Sequence, residues 1–128
     1  MSTEEPRKRI LIVDDESGFT RLMKLTLEKT GRYQVREQND GTQALQTARE
    51  FKPDLILLDI VMPKIDGGDV ASQISNDPML RNVKIVFLTA IVSKKEATDG
   101  NLIGGYPFMA KPVSLEALRE CIEENLAS

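Results

Sequence analysis

Four apolar runs in this sequence each end on a residue type that can do chemistry. Asp14 and Asp15, with Glu16 next, follow Ile10–Val13 (ILIV), and Asp59 follows Leu55–Leu58 (LILL). Thr89 and Ala90 follow Val83–Leu88 (VKIVFL), and Lys111 follows Tyr106–Ala110 (YPFMA). A lone Asp after a strand is ordinarily a turn residue or a helix cap. Four separate segments delivering polar groups to one rim would be another matter. Two carboxylates about 4 Å apart repel by roughly 4 kcal/mol at an effective dielectric near 20, a large share of a domain's net stability. Such a cluster needs cations, and Lys111 supplies one. It either merely neutralises a strand-end acid cluster or shares the site with a divalent ion.

The chain has no histidine and one cysteine. A metal site would therefore be built from oxygen and would select a hard ion, Mg²⁺ with Mn²⁺ as a substitute. Few carboxylates, and the lack of a continuous acidic loop, argue against a calcium cage. Carboxylates also act as covalent nucleophiles in phosphoryl transfer, a reaction that asks the protein mainly for positioning and positive charge. The division of labour then reads off the spacing: the adjacent pair Asp14 and Asp15 holds the ion, and the solitary Asp59 attacks.

The elements that must position these residues follow from periodicity. ILIV and LILL are continuous rather than alternating, as expected of parallel strands covered on both faces. Tyr33–Glu37 alternates, which suits an edge strand, and Pro107 in YPFMA suits another edge. Helical spacing appears over Ser17–Lys29 (Phe19, Leu22, Met23 and Leu27 inward, Ser17 as cap, Gly31 as stop). Further helices are expected from Asp40–Gln43 to before Pro53 (Ala44, Leu45, Ala48 inward), over Gly68–Ser75 (Val70, Ile74 inward), and over Leu115–Leu126 capped by Ser114. Ser93–Asp99 has almost no apolar stripe, so a short or mobile helix is expected there. The reading is an α/β fold, a doubly wound five-stranded parallel sheet of order 2-1-3-4-5, flavodoxin-like, (βα)5. Residues 1–8 read as a solvated lead-in and 9–127 as one domain.

At 128 residues, 41% hydrophobic and 29% charged, the composition is that of an ordinary soluble domain. A net charge of −3 gives no reason to expect direct nucleic-acid binding. There is no long apolar run and no signal peptide is evident, so no membrane contact is expected; a lone Cys121, read as a buried helix residue, excludes an internal disulfide and suits the cytoplasm. Without histidine there is no His-dependent nucleophile pair. A flavin or dinucleotide site would want a glycine-rich loop after the first strand, where Asp14-Asp15-Glu16 stands instead.

Together VDDE (Val13–Glu16), LLDIVMPKIDGG (Leu57–Gly68), FLTA (Phe87–Ala90) and FMAKP (Phe108–Pro112) resemble the receiver domain of two-component response regulators, over about residues 9–127. The resemblance implies that Asp59 accepts a phosphoryl group from a phosphohistidine on a sensor histidine kinase or phosphotransfer protein. It implies Mg²⁺ held by Asp14, Asp15, Asp59 and the backbone carbonyl of Val61. Lys111, Thr89 and the Ala90 N–H would contact the phosphoryl group, with Thr89 and Phe108 as the switch pair. An effector would then read the fourth helix, fifth strand and fifth helix. A pseudo-receiver binding module and an aspartate-nucleophile phosphatase are the alternatives; the latter usually wants an acid where Val61 stands. Val61 and Ile91 are apolar where the family often has polar residues, which predicts slow loss of the phosphoryl group.

Overall fold

The computed structural model describes residues 7–90 and 102–127. β1 (Lys8–Val13), β3 (Leu55–Asp59) and β4 (Lys84–Thr89) form the buried centre of one sheet. β2 (Tyr33–Gln38) is its alternating edge, and β6 (Tyr106–Ala110) lies on the far side of β4. A two-residue strand, β5 (Leu102–Ile103), pairs antiparallel outside β6, so the order is β2-β1-β3-β4-β6-β5. The five expected strands are parallel and in the expected order. The sixth is an addition: Gly104 and Gly105, both at positive φ, turn the chain back so that Leu102 faces Pro107.

Alternation within each central strand explains why both faces are apolar. Leu11, Val13, Ile56, Leu58, Ile85 and Phe87 pack under α2 (Ala44–Phe51) and α3 (Gly67–Ser75). Ile10, Ile12, Leu55, Leu57, Val86 and Leu88 pack under α1 (Ser17–Glu28) and α4 (Leu115–Ala127). Each fully buried Leu or Ile contributes about 1.5–3 kcal/mol, so this double-sided core holds the strand ends rigidly.

The helix starts show how local chemistry sets the boundaries. Asp40 caps a short 3₁₀ turn (Gly41–Gln43) that leads into α2, and Asp66 caps α3 by accepting from the Gly68 N–H. Ser114 caps α4 as expected, its Oγ accepting from the Ala117 N–H at 3.1 Å. Ser17 is not the cap of α1. It is the first helical residue, and Glu16 occupies the cap position without a side-chain cap bond. Leu22 is a second correction: it is 58% exposed, and the inward face of α1 is Thr20, Met23 and Leu27. Cys121 is half-buried rather than buried, beside the fully buried Leu118 and Ile122. The expected helix over Ser93–Asp99, and Ile91, lie outside the described residues.

Candidate functional site

Parallel strands end on one side of the sheet, and β1, β3, β4 and β6 bring their C-terminal residues to a common rim. Asp14, Asp15 and Asp59 offer carboxylate oxygens that all lie within 4.8 Å of one another. At that separation each pair repels by about 3 kcal/mol at an effective dielectric near 20. Asp14 is fully buried and Asp59 is buried, whereas Asp15 is exposed. With Glu16, Val61, Ala90 and Lys111, Asp15 and Asp59 line a cleft of about 270 Å³.

The acid loop is built by its own hydrogen bonds. The Asp14 N–H donates to the Gln38 carbonyl at 3.1 Å, continuing the β1–β2 ladder by one residue. One Asp14 carboxylate oxygen accepts from the Glu16 N–H at 2.9 Å, which turns the chain into α1. The other accepts from Lys111 Nζ at 2.6 Å. Lys111 comes from beyond β6, which continues into the rim through the Lys111 N–H donating to the Thr89 carbonyl at 2.8 Å. The peptide bond between Lys111 and Pro112 is cis.

Electrostatics marks Asp59 as the strained member. Its pKa is pushed up to about 6, first by burial and then by the Asp14 charge; Lys111 and a hydrogen bond from the Val61 N–H pull the other way. The ammonium sits on Asp14, not on Asp59, and this arrangement leaves Asp59 with an unfavourable charge. For Lys111 burial works against the charge, but the hydrogen bond and field of Asp14, with Asp59, prevail and hold its pKa above the ordinary value. A hard divalent ion fits this donor set: among the described residues, three carboxylates, no nitrogen or sulfur ligand, and more negative charge than Lys111 balances.

The loop after β3 is shaped by close backbone approach. A Cβ on Gly67 would collide with the Asp59 carbonyl oxygen and lie 2.7 Å from the Ile60 Cα. The Gly67 N–H instead donates to the Ile60 carbonyl at 2.8 Å, clamping the loop behind Asp59. The DGG of the sequence is thus one cap (Asp66) and one contact glycine (Gly67). Lys64 takes the positive φ (72°) in this loop.

Thr89 is the last residue of β4, buried, beside Ala110 in register, and Ala90 follows it at the cleft. Phe108 is half-buried opposite Phe87 and packs on the α2–α3 side of the core. Val61 is 63% exposed at the cleft mouth. Three supports of this site have roles that the sequence alone does not assign, although it places Glu16 at the rim. Phe19, read as core, places its ring 4.6 Å under Lys111 Nζ. Glu16 adds a carboxylate oxygen 3.4 Å from the same ammonium, and Asn39 holds the Asp14 carbonyl. No one-dimensional pattern signals these, because each is defined by a contact made across the sheet.

The comparisons with known proteins meet this geometry. The family described as the response regulator receiver domain matches residues 10–123, and the chain belongs to that family. The polar-differentiation response regulator DivK of Brucella anthropi is 32% identical over 119 residues, covering 93% of this chain and 96% of DivK. PhoP of Bacillus subtilis, the alkaline phosphatase synthesis transcriptional regulatory protein, is 38% identical over 107 residues, 84% of this chain but 43% of PhoP. The chain spans less than half of the length of PhoP, as it does of the regulator RpaA of Synechocystis (45%). Among solved structures, the receiver domain of the sensor histidine kinase PA1611 from Pseudomonas aeruginosa superposes with a TM-score of 0.82 at 27% identity, over 96% of this chain and all of that one. That domain carries a magnesium ion in its active-site cleft. Chemotaxis protein CheY4 of Vibrio cholerae gives 0.82 at 25% identity, over 94% and 99% of the two chains. The family, and this chain with it, works in phosphorelay signal transduction.

Proposed function

We propose that Asp59 takes a phosphoryl group from a phosphohistidine on a sensor histidine kinase or phosphotransfer protein, and that this depends on Mg²⁺, with Mn²⁺ able to substitute. The observation that carries the proposal is the gathering of Asp14, Asp15 and Asp59 within 4.8 Å beside a lysine already bound to Asp14. In the step, an Asp59 carboxylate oxygen forms a bond to phosphorus as the phosphorus–nitrogen bond to the imidazole breaks. Asp14, Asp15, Asp59 and the Val61 carbonyl would hold the ion, which supplies positive charge that lets an anionic phosphoryl group approach three carboxylates. Lys111 leaves Asp14 in part to meet a phosphoryl oxygen, and the Ala90 N–H donates to another. The small Ala90 side chain leaves the cleft open.

The product is a changed surface and not a released compound, so the chain acts as a phosphoacceptor rather than a turnover enzyme. Phosphorylation adds roughly −1.5 to −2 charge and three acceptor oxygens. The buried Thr89 hydroxyl moves onto them, and the half-buried Phe108 fills in behind it. An effector protein then reads the surface carried by β6 and α4, and the exchange takes place in the cytoplasm. Residues 9–127 make up the receiver domain.

The test is to incubate the protein with a small-molecule phosphodonor and Mg²⁺ and weigh it intact. A single labile phosphoryl adduct, lost in Asp59→Asn and in the presence of EDTA, is expected. Turnover of the donor without accumulated adduct would indicate a phosphatase instead. No adduct from any donor would leave a binding module that keeps only the fold.

A further inference from the structure

We infer that Asn39 is a positioning residue for the acid cluster: its side-chain amide holds the peptide that places the Asp15 backbone. This rests on the reading of Asp14, Asp15 and Asp59 as a magnesium site.

The β1–β2 ladder ends where the Asp14 N–H donates to the Gln38 carbonyl at 3.1 Å. Strand β2 stops at Gln38, so no further β2 strand residue continues the ladder to the Asp14 carbonyl. Asn39 Nδ2 takes that place and donates to the Asp14 carbonyl oxygen at 2.7 Å. The same nitrogen donates to Thr20 Oγ1 at 2.9 Å. The Thr20 hydroxyl in turn lies 2.7 Å from Glu37 Oε1 and 3.1 Å from the Ser17 carbonyl, both acceptors, so its own hydrogen points away from Asn39. Both amide hydrogens of Asn39 are thereby committed, and the direction of donation is fixed from Asn39 to Thr20.

The consequence falls on the two acids in different ways. The Asp14 carboxylate is fixed independently, by the Glu16 N–H and Lys111. Asp15 is exposed, and the plane of the peptide joining it to Asp14 fixes where the Asp15 Cα, the base of its side chain, stands. A carbonyl held at one end of that peptide fixes the plane. Thr20 is fully buried, and through it the brace is anchored both to α1 and to β2. Hydrogen-bond partners that orient ligands in this way typically matter by about 10–100-fold in metal affinity.

The experiment compares wild type, Asn39→Ala and Thr20→Val by calorimetric titration with MgCl₂, alongside urea unfolding in EDTA. Asn39→Ala is expected to raise the magnesium Kd by about 10-fold, with a smaller loss in Thr20→Val. The two losses should not be additive in the double variant, because they break one chain of bonds. An unchanged Kd in a folded Asn39→Ala protein that is merely easier to unfold would overturn the inference and leave Asn39 a structural tie. If Asn39→Ala does not fold, Thr20→Val alone decides: an unchanged Kd there overturns it equally. Wild type that shows no saturable magnesium uptake would instead sink the reading of the site itself.

Discussion

The charge on Asp59 should cost the fold stability, and its removal should return it. Its pKa rises from 3.8 to about 6 on folding, and the residue as a whole is only 7% exposed, so solvent screens its charge only in part. Between those two values the folded state binds more protons than the unfolded state, so stability falls as pH rises. The contribution is fully present below the unfolded value and is lost by the time pH has passed the folded one. Integrated, the penalty on wild type is about 1 kcal/mol near pH 4.5 and about 3 kcal/mol near pH 7.5. Asp59→Asn keeps the shape and an oxygen for the Val61 N–H but carries no charge. In metal-free buffer near pH 7.5 it should therefore be more stable by about 2–3 kcal/mol, or roughly 8–12 °C in Tm for a domain of this size. Urea unfolding of both proteins from about pH 4.5 to 7.5, with EDTA present, measures the gap. It should widen with pH by about 2 kcal/mol, and saturating Mg²⁺ should narrow it by stabilising wild type selectively. A gap that stays flat with pH, or a variant less stable than wild type at neutral pH, would refute the argument that burial and Asp14 strain this carboxylate.

Gly67→Ala should destabilise by about 2–3 kcal/mol, because the added methyl meets the backbone of Asp59 and Ile60, whereas Gly68→Ala meets only the flexible Asp66 carboxylate and should cost well under that; urea midpoints distinguish them. Val61→Asn should shorten the half-life of the phosphorylated protein several-fold, since Val61 is exposed at the cleft mouth and an apolar side chain cannot orient an attacking water. An unchanged half-life by intact mass over time would count against that role. Phe19→Leu removes the ring beneath Lys111 and should cost about 0.5–1 kcal/mol of stability. It should also slow phosphorylation by a small donor far less than Lys111→Ala does.

The frame of this protein was legible because its central strands are buried on both faces. ILIV, LILL and the run ending at Thr89 have no polar face to hide, and their terminal residues then fall on one rim by topology alone. The same logic brings Asp14, Asp15, Asp59 and Lys111 to one rim from the sequence alone. It failed where a tertiary contact overrode a local preference. Ser17 looked like the cap of α1, but the Glu16 N–H is engaged by the Asp14 carboxylate, which pulls the turn one residue earlier. Leu22 looked inward by apolar spacing, yet the buried stripe passes through Thr20, a hydroxyl that is bonded to Glu37 and that hydrophobicity does not count. Strand β5 is two residues long and carries no periodicity to read; two glycines and the neighbouring edge create it.

The position of Lys111 gives the resting state its direction. Among the described residues Lys111 is the cation at the three clustered aspartates, and it sits on the fully buried Asp14, where an unpaired charge would cost most. Asp59, nearer the cleft, is left to bear the repulsion. The fold thus stores electrostatic strain on Asp59, the acid proposed to take the phosphoryl group. Under the proposed function, a cation in the cleft would offset the charge of all three acids, and transfer to Asp59 would move the negative charge outward onto oxygens that Lys111, Thr89 and the Ala90 N–H would meet. Because Lys111 is bound to Asp14 through its side chain and to Thr89 through its backbone N–H, the proposed shift toward a phosphoryl group would be felt by both the acid loop and the end of β4. Phe87, paired with Phe108 in register, belongs to that same strand. On that proposal a local change of charge would have a short mechanical route to the β4–β6 pair, along bonds present in the structure.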